Sequence, residues 1–357
     1  MRFGITFFPT VGPEHKSAAD YYDEAVALAV LADELGYHHV KTVEHYFFAY
    51  GGYSPDPVPL LTAIARSTTR IRVATGAVIP AFNHPVQLAA RLAVLDNLSR
   101  GRLDVGFGRA FLPDEFAAFE VPLDESRARF EEGVRAVELL WSQQDVQWDG
   151  TFHRFGPVTL LPRPFQQPHP PVFVAAATSP ASAEAAGRAG RGLQGVPAIS
   201  GRQGFQDILA AYRKGWVDGG RQSGQEQIQI SFALFLHEDG EEARRLGRYD
   251  EETYSERIAE ATRAWGKARS ADYPGYERLE EAGKLLHFDR RLKENQILAG
   301  DPQEVTAQLE EIVDWYGDDV TLSFTVHSGN LPAEVSERTL RLFAERVAPA
   351  FSERGQR

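Results

Sequence analysis

Short runs rich in Val, Ile, Phe and Thr alternate along this chain with longer stretches in which apolar positions recur every three or four residues. Residues 2–8 read as a first strand and 19–35 as an amphipathic helix that Gly36 stops. Strands at 39–43, 71–78 and 103–107 follow, separated by a Gly/Pro-rich loop at 47–57 and helices over 59–68 and 85–98, the latter opened by Pro85. A helix over 126–141 precedes the stretch 145–171, where six prolines and the Asp149-Gly150 turn predict a hairpin-like excursion. Strands at 172–175, 192–194, 228–236 and 320–324, with helices at 180–188, 205–217, 302–315 and 333–347, continue the cadence. The segment 239–293 is charged, helical in composition and out of step with it.

That alternation predicts a parallel sheet with crossover helices. Eight strands fit an α/β fold of the (β/α)8 TIM barrel type, a single domain over 1–357 with insertions near 145–171 and 239–293. A doubly wound open sheet is disfavoured, because no G-x-G-x-x-G follows the first strand.

Charge changes the picture on the side of partners. With 38 Lys+Arg against 50 Asp+Glu, a net charge of −12 and no basic stripe, the chain would repel a phosphodiester backbone, so nucleic acid is not an expected partner. No apolar run is long enough to span a bilayer, and the first apolar run reaches Pro9 and Pro13 too soon for a signal peptide. A cytoplasmic protein without membrane partners is therefore expected. The absence of Cys excludes disulfides, thiolate nucleophiles and Cys-ligated metals.

In such a barrel the chemistry belongs at the C-terminal ends of the strands. After strand 2 stands His45, whose imidazole is suited to take or give a proton near neutral pH, with Glu44 beside it as a carboxylate able to set its tautomer. A hydrogen-bonded loop pair is the plainer reading of the same two residues. After strand 3, Gly76 and Ala77 are small enough for a flat ligand to approach the backbone, or for simple close packing. Strand 4 ends at Arg109, a guanidinium suited to phosphate or to a surface ion pair. Strand 5 runs into Thr178, Ser179 and Ser182 at a helix start, which is either an ordinary cap or an anion site. Neighbouring strands would bring that cation and those hydroxyls together as a phosphate pocket. No His/carboxylate spacing suits a metal, and neither a P-loop nor a G-x-S-x-G elbow is present.

The blocks Glu44-His45-Tyr46-Phe47, Thr75-Gly76-Ala77-Val78-Ile79-Pro80 with His84-Pro85, Leu95-Asp96-Asn97-Leu98-Ser99-Arg100-Gly101-Arg102, Gly106-Phe107-Gly108-Arg109, Ala177-Thr178-Ser179-Pro180-Ala181-Ser182 and Leu298-Ala299-Gly300-Asp301-Pro302 succeed one another in the order found in bacterial luciferase-like flavin monooxygenases, which this chain resembles over nearly its whole length. The resemblance implies a barrel that binds reduced FMN or, in some branches, F420. His45 would be the catalytic acid/base, and Arg109, Ser179 and Ser182 would hold the flavin phosphate, with Thr178 where luciferase has a carboxylate. A cis peptide at Gly76-Ala77 would back the ring. The implied chemistry is oxygenation of a small organic substrate by O2 through a C4a-(hydro)peroxyflavin, by hydroxylation or Baeyer–Villiger-type insertion, with FMN reduced by a separate NAD(P)H:flavin reductase. The resemblance also implies a homodimer. An F420-dependent oxidoreductase of the same fold and a non-catalytic flavin-binding relative are the alternatives. Tyr46 stands where luciferase has a second His and Gly108 where it has a reactive Cys, so light emission and a long-chain aldehyde substrate are not expected.

Overall fold

In the computed structural model, which describes residues 1–284 and 287–352, the first half of the chain is four β/α units. They comprise β1 (Arg2–Phe7), α1 (Ala18–Glu34), β2 (His39–Thr42), α2 (Pro57–Ser67), β3 (Arg72–Val78), α3 (Pro85–Leu98), β4 (Leu103–Phe107), the short α4 (Pro113–Ala118) and α5 (Ser126–Ser142). The proline-rich excursion forms the antiparallel hairpin β5 (Val146–Asp149) and β6 (Arg154–Val158). Then come β7 (Val172–Ala175), α6 (Pro180–Ala189), β8 (Gly192–Gly195), α7 (Pro197–Asp218) and β9 (Ile228–Leu236). The charged insertion supplies α8 (Gly240–Thr262), α9 (Leu279–Lys284) and α10 (Phe288–Lys293). The chain closes with β10 (Ile297–Gly300), α11 (Pro302–Tyr316), β11 (Thr321–His327), α12 (Ala333–Leu342), a π-type turn and α13 (Pro349–Ser352).

Strands β1, β2, β3, β4, β7, β8, β9 and β11 pair in parallel in that order, and β11 closes onto β1, making an eight-stranded barrel. At least one helix lies between each two successive barrel strands, as parallel pairing requires. The ninth strand, β10, is one that the sequence pattern misses. It pairs with Ala233–Leu236 at the upper end of β9, whereas β11 takes Gln229–Ala233 below. Four residues, Ile-Leu-Ala-Gly, are too few to show a period. The α7 helix also starts earlier than expected, at Pro197, because it continues across a kink at Gly201.

Alternation along the strands separates two environments. Ile5, Val40, Val73, Val105, Leu193 and Leu322 belong to the apolar core shared with the surrounding helices. The residues between them are small or polar. Lys41 Nζ donates to Ser231 Oγ at 3.0 Å, Gln194 Nε2 to Gln229 Oε1 at 3.1 Å, and Arg72 Nη2 to Asp104 Oδ1 at 2.6 Å. Small side chains near the C-terminal ends of the strands leave the barrel open there: Ala175 is exposed, and Gly76, Ala77, Ser231 and Ala233 are half-buried. Among the described residues no helix is long and apolar enough to cross a membrane, and no group of three or more His, Cys, Asp or Glu is placed to hold a metal ion.

Candidate active site at the barrel mouth

The loop after β2 is laced before it delivers its imidazole. Thr42 Oγ1 donates to Phe7 O at 3.0 Å, Ser54 Oγ to Val43 O at 2.6 Å, and His45 N to Ser54 O at 3.1 Å. Gly51 passes close above in a left-handed conformation (φ 79°), where a Cβ would lie 2.6 Å from His45 Cβ, so only glycine fits. His45 is consequently 9% exposed, ringed by Phe8, Tyr50 and Phe111.

The carboxylate that orients this imidazole is not the neighbouring Glu44. Glu115, on α4 and fully buried, stands with Oε1 3.1 Å from His45 Nδ1 and accepts from Tyr46 N at 2.8 Å. Its other oxygen, Oε2, is buried without a hydrogen-bond partner. Glu44 turns away, taking Tyr46 Oη–H at 2.8 Å and Ile79 N–H at 2.9 Å. Burial pushes its carboxyl up to about 8, which favours the protonated form below that pH. Sequence spacing could not reveal Glu115, since the barrel alone brings residues 70 positions apart together. Among the described residues His45 Nε2 has no protein hydrogen-bond partner, Nδ1 alone being engaged.

Across the mouth, the Gly76-Ala77 peptide is cis, as the resemblance implied. The space a Cβ at Gly76 would take is filled from below by the stem of Lys41, whose Cδ would be 2.3 Å away. A Cβ at Gly108 would meet Ala77 Cβ at 3.0 Å and Ala175 Cβ at 3.9 Å, so glycine there keeps the wall between β3 and β7 thin.

Arg109 leaves β4 towards the insertion. Its Nη2 donates to Asp272 O at 2.9 Å and its guanidinium lies 4.3 Å over the Tyr273 ring. Nη1 is buried without a hydrogen-bond partner; the Asp272 carboxylate is 3.9 Å off, too far to satisfy it. Asp272 also accepts from Arg127 N at 3.1 Å, and Arg127 Nη1 reaches Ser182 Oγ at 3.5 Å. Ser179 caps α6, its Oγ accepting from Ser182 N at 3.2 Å, while Thr178 is exposed just before it. Because β4 and β7 are neighbours, the structure brings Arg109, Ser182 and the start of α6 to one sector of the rim and adds Arg127 from the first turn of α5, which no motif in the sequence singles out. Two guanidiniums, one of them with an orphaned buried N–H at Arg109 Nη1, and a helix N-terminus form a set that suits a phosphate monoester.

The insertion closes the sector from above. Trp265 Nε1 donates to Phe111 O at 2.8 Å, Tyr273 Oη to Ala110 O, and Ser126 Oγ to Asp272 Oδ2 at 3.1 Å. Tyr254 from α8 meets Phe8 and Tyr50 with ring centroids 6.0 and 5.8 Å apart. The wall facing His45 is therefore aromatic and dry.

A family model described as luciferase-like monooxygenase matches residues 1–319. The crystal structure of monooxygenase RslO1 from Streptomyces bottropensis superposes with a TM-score of 0.89 at 52% identity, covering 99% of this chain and 100% of that one. The oxygenase component of the flavin-dependent trigonelline monooxygenase of Acinetobacter baylyi is 31% identical over 214 residues, 59% of this chain and 59% of that relative, so the match spans about three-fifths of the relative's length. The fold is shared with the oxygenating constituent of 3,6-diketocamphane monooxygenase of Pseudomonas putida, solved with FMN, at a TM-score of 0.81 and 21% identity over 98% of both chains.

Proposed function

We propose that this chain, which belongs to the luciferase-like monooxygenase family, is the oxygenating half of a two-component system. It takes reduced FMN made by a separate NAD(P)H:flavin reductase and uses O2 to oxygenate a small organic substrate. The observation that carries the reading is the buried, unpartnered Nη1 of Arg109 beside the capped start of α6. A donor left without an acceptor costs about 1–3 kcal/mol, and a phosphate oxygen would remove that cost. The reductase is supported by the likeness to a protein named as an oxygenase component.

The residues divide the work by place. Arg109, Arg127, Ser179 and Ser182 would hold the phosphate, with Thr178 at the edge of the clasp, and Gly76 and Ala77 would back the ring. Reduced FMN supplies the electrons with which O2 is activated for transfer of one oxygen atom. His45 gives or takes the substrate-side proton at Nε2, while Glu115 fixes the tautomer at Nδ1 and stabilises the imidazolium when it forms. Phe8, Tyr50, Phe111 and Tyr254 keep water from the reacting atoms. A homodimer is supported by exposed apolar side chains that gather near the end of α3, among them Val94, Leu98 and Phe165; light scattering should give twice 39.7 kDa.

The test is oxygen consumption with FMN, NADH and a flavin reductase across a panel of ketones and phenols. Substrate-dependent uptake with an oxygenated product supports the reading. Oxygen-independent reduction of F420 by a hydride donor would replace it by the deazaflavin alternative, and FMN binding without oxygenation of any substrate by the non-catalytic one.

A further inference from the structure

Lys41 lies outside both the phosphate clasp and the His45–Glu115 pair. Its side chain leaves β2 inward, fills the space under Gly76 and crosses the barrel to Ser231 on β9, which accepts from Nζ at 3.0 Å. Only 3% of the residue is exposed, and among the described residues no carboxylate comes within ion-pair distance of it. The acidic group deeper in the barrel, Asp104, is already bound by Arg72, and His39 beside Lys41 is pushed well below its usual range by burial, hence neutral. Burial likewise pushes the Lys41 amine down to about 7. A buried ammonium with one hydroxyl for company is costly, and an anion alongside offsets that cost. Ser231, which accepts from the amine, is itself half-buried, as are Ala233 and its β11 neighbour Thr325, so the amine lies just beneath the small side chains at the C-terminal ends of these strands.

We propose that Lys41 is the counter-charge for the reduced, anionic flavin, making the barrel prefer the reduced cofactor to the oxidised one. The inference rests on the flavin reading above. It assigns a use to a buried amine that the fold leaves without an internal anion and that an incoming anion would hold in its protonated form. It also suits a protein that must capture reduced flavin from another enzyme and release the oxidised form, because a charge that appears only on reduction is felt only then.

The experiment is anaerobic titration of the full-length protein with oxidised and photoreduced FMN, for the wild type and Lys41→Met. The wild type is expected to bind reduced FMN at least about tenfold more tightly than oxidised FMN, and Lys41→Met to lose about fivefold or more of that ratio with the oxidised Kd within about twofold. An unchanged ratio with both forms still bound overturns the role of Lys41 and leaves the flavin reading standing. Failure of the wild type to bind either form overturns the flavin reading and this inference with it. Lys41→Gln, which keeps a polar contact to Ser231, repeats the comparison should the methionine variant not fold, and the same loss of ratio is expected.

Discussion

An imidazole with one nitrogen tied to a buried carboxylate and the other without a protein partner is set up for proton transfer in a single direction. His45→Ala should therefore leave FMN affinity within about threefold of wild type while coupled turnover falls by about 10²–10⁴, the usual scale of acid–base catalysis; stopped-flow product formation beside a binding titration separates the two. Undiminished turnover would remove His45 from the chemistry. Glu44 has the opposite character. The unfolded chain ionises it above about 4.5 but the fold keeps it protonated up to about 8, so the unfolded state binds fewer protons in that window and stability falls as pH rises through it. Glu44→Gln carries no such proton, and its Tm relative to wild type should climb between pH 5 and pH 8. A constant difference would show that Glu44 is ionised in the fold. His45 was legible in the sequence because a histidine after a strand falls on the barrel rim. Its true partner was not, because Glu115 lies on a short helix whose six residues carry no periodic signal and reaches His45 only through the fold.

At the level of elements, the block 95–102 lies at the end of α3 and before β4, at the opposite end of the strands from the mouth. Arg102 nails the end of α2 to the start of β4: Nη1 donates to Ile71 O at 2.6 Å and Thr68 Oγ1 at 3.0 Å, Nη2 to Ala65 O at 2.6 Å, and Nε to Ser99 O at 2.9 Å. Asp96, fully buried, accepts from Gln166 N and Nε2, both at 2.8 Å, fastening the proline-rich excursion to α3. Many backbone groups around this block depend on a few side chains. Arg102→Ala should cost about 2–4 kcal/mol in urea unfolding, since several carbonyls lose a charged donor, and leave FMN affinity unchanged. A shift in Kd without loss of stability would contradict this division between scaffold and site. The strands read from periodicity agree with the barrel to within a few residues, and the helical composition of 239–293 is realised in α8, α9 and α10, whereas the four residues of β10 are too few for a local pattern to show.

For the whole molecule, the insertion is fastened by hydrogen bonds to the sector around Arg109. Asp272 and Tyr273 hold Arg109, while Trp265 and Ser270 tie the same segment to the loop after β4, Ser270 through Asp124. A ligand bound by Arg109 and Arg127 should therefore steady the insertion. FMN is expected to slow limited proteolysis within 263–278 by fivefold or more, read by mass spectrometry of the fragments; cleavage indifferent to FMN would uncouple the lid from the cofactor. The surface charge of −12 is consistent with small-molecule rather than nucleic-acid chemistry.

The central claim is that a phosphate group anchors the cofactor at the sector built by Arg109, Arg127, Ser179 and Ser182. Comparing FMN with riboflavin, which lacks only the phosphate, in wild type and Arg109→Ala tests it most directly. The wild type should prefer FMN by at least about tenfold, and Arg109→Ala should lose most of that preference, a change of about 1.5–3 kcal/mol for a charge-assisted contact. Equal affinity of the wild-type protein for FMN and riboflavin would contradict the account.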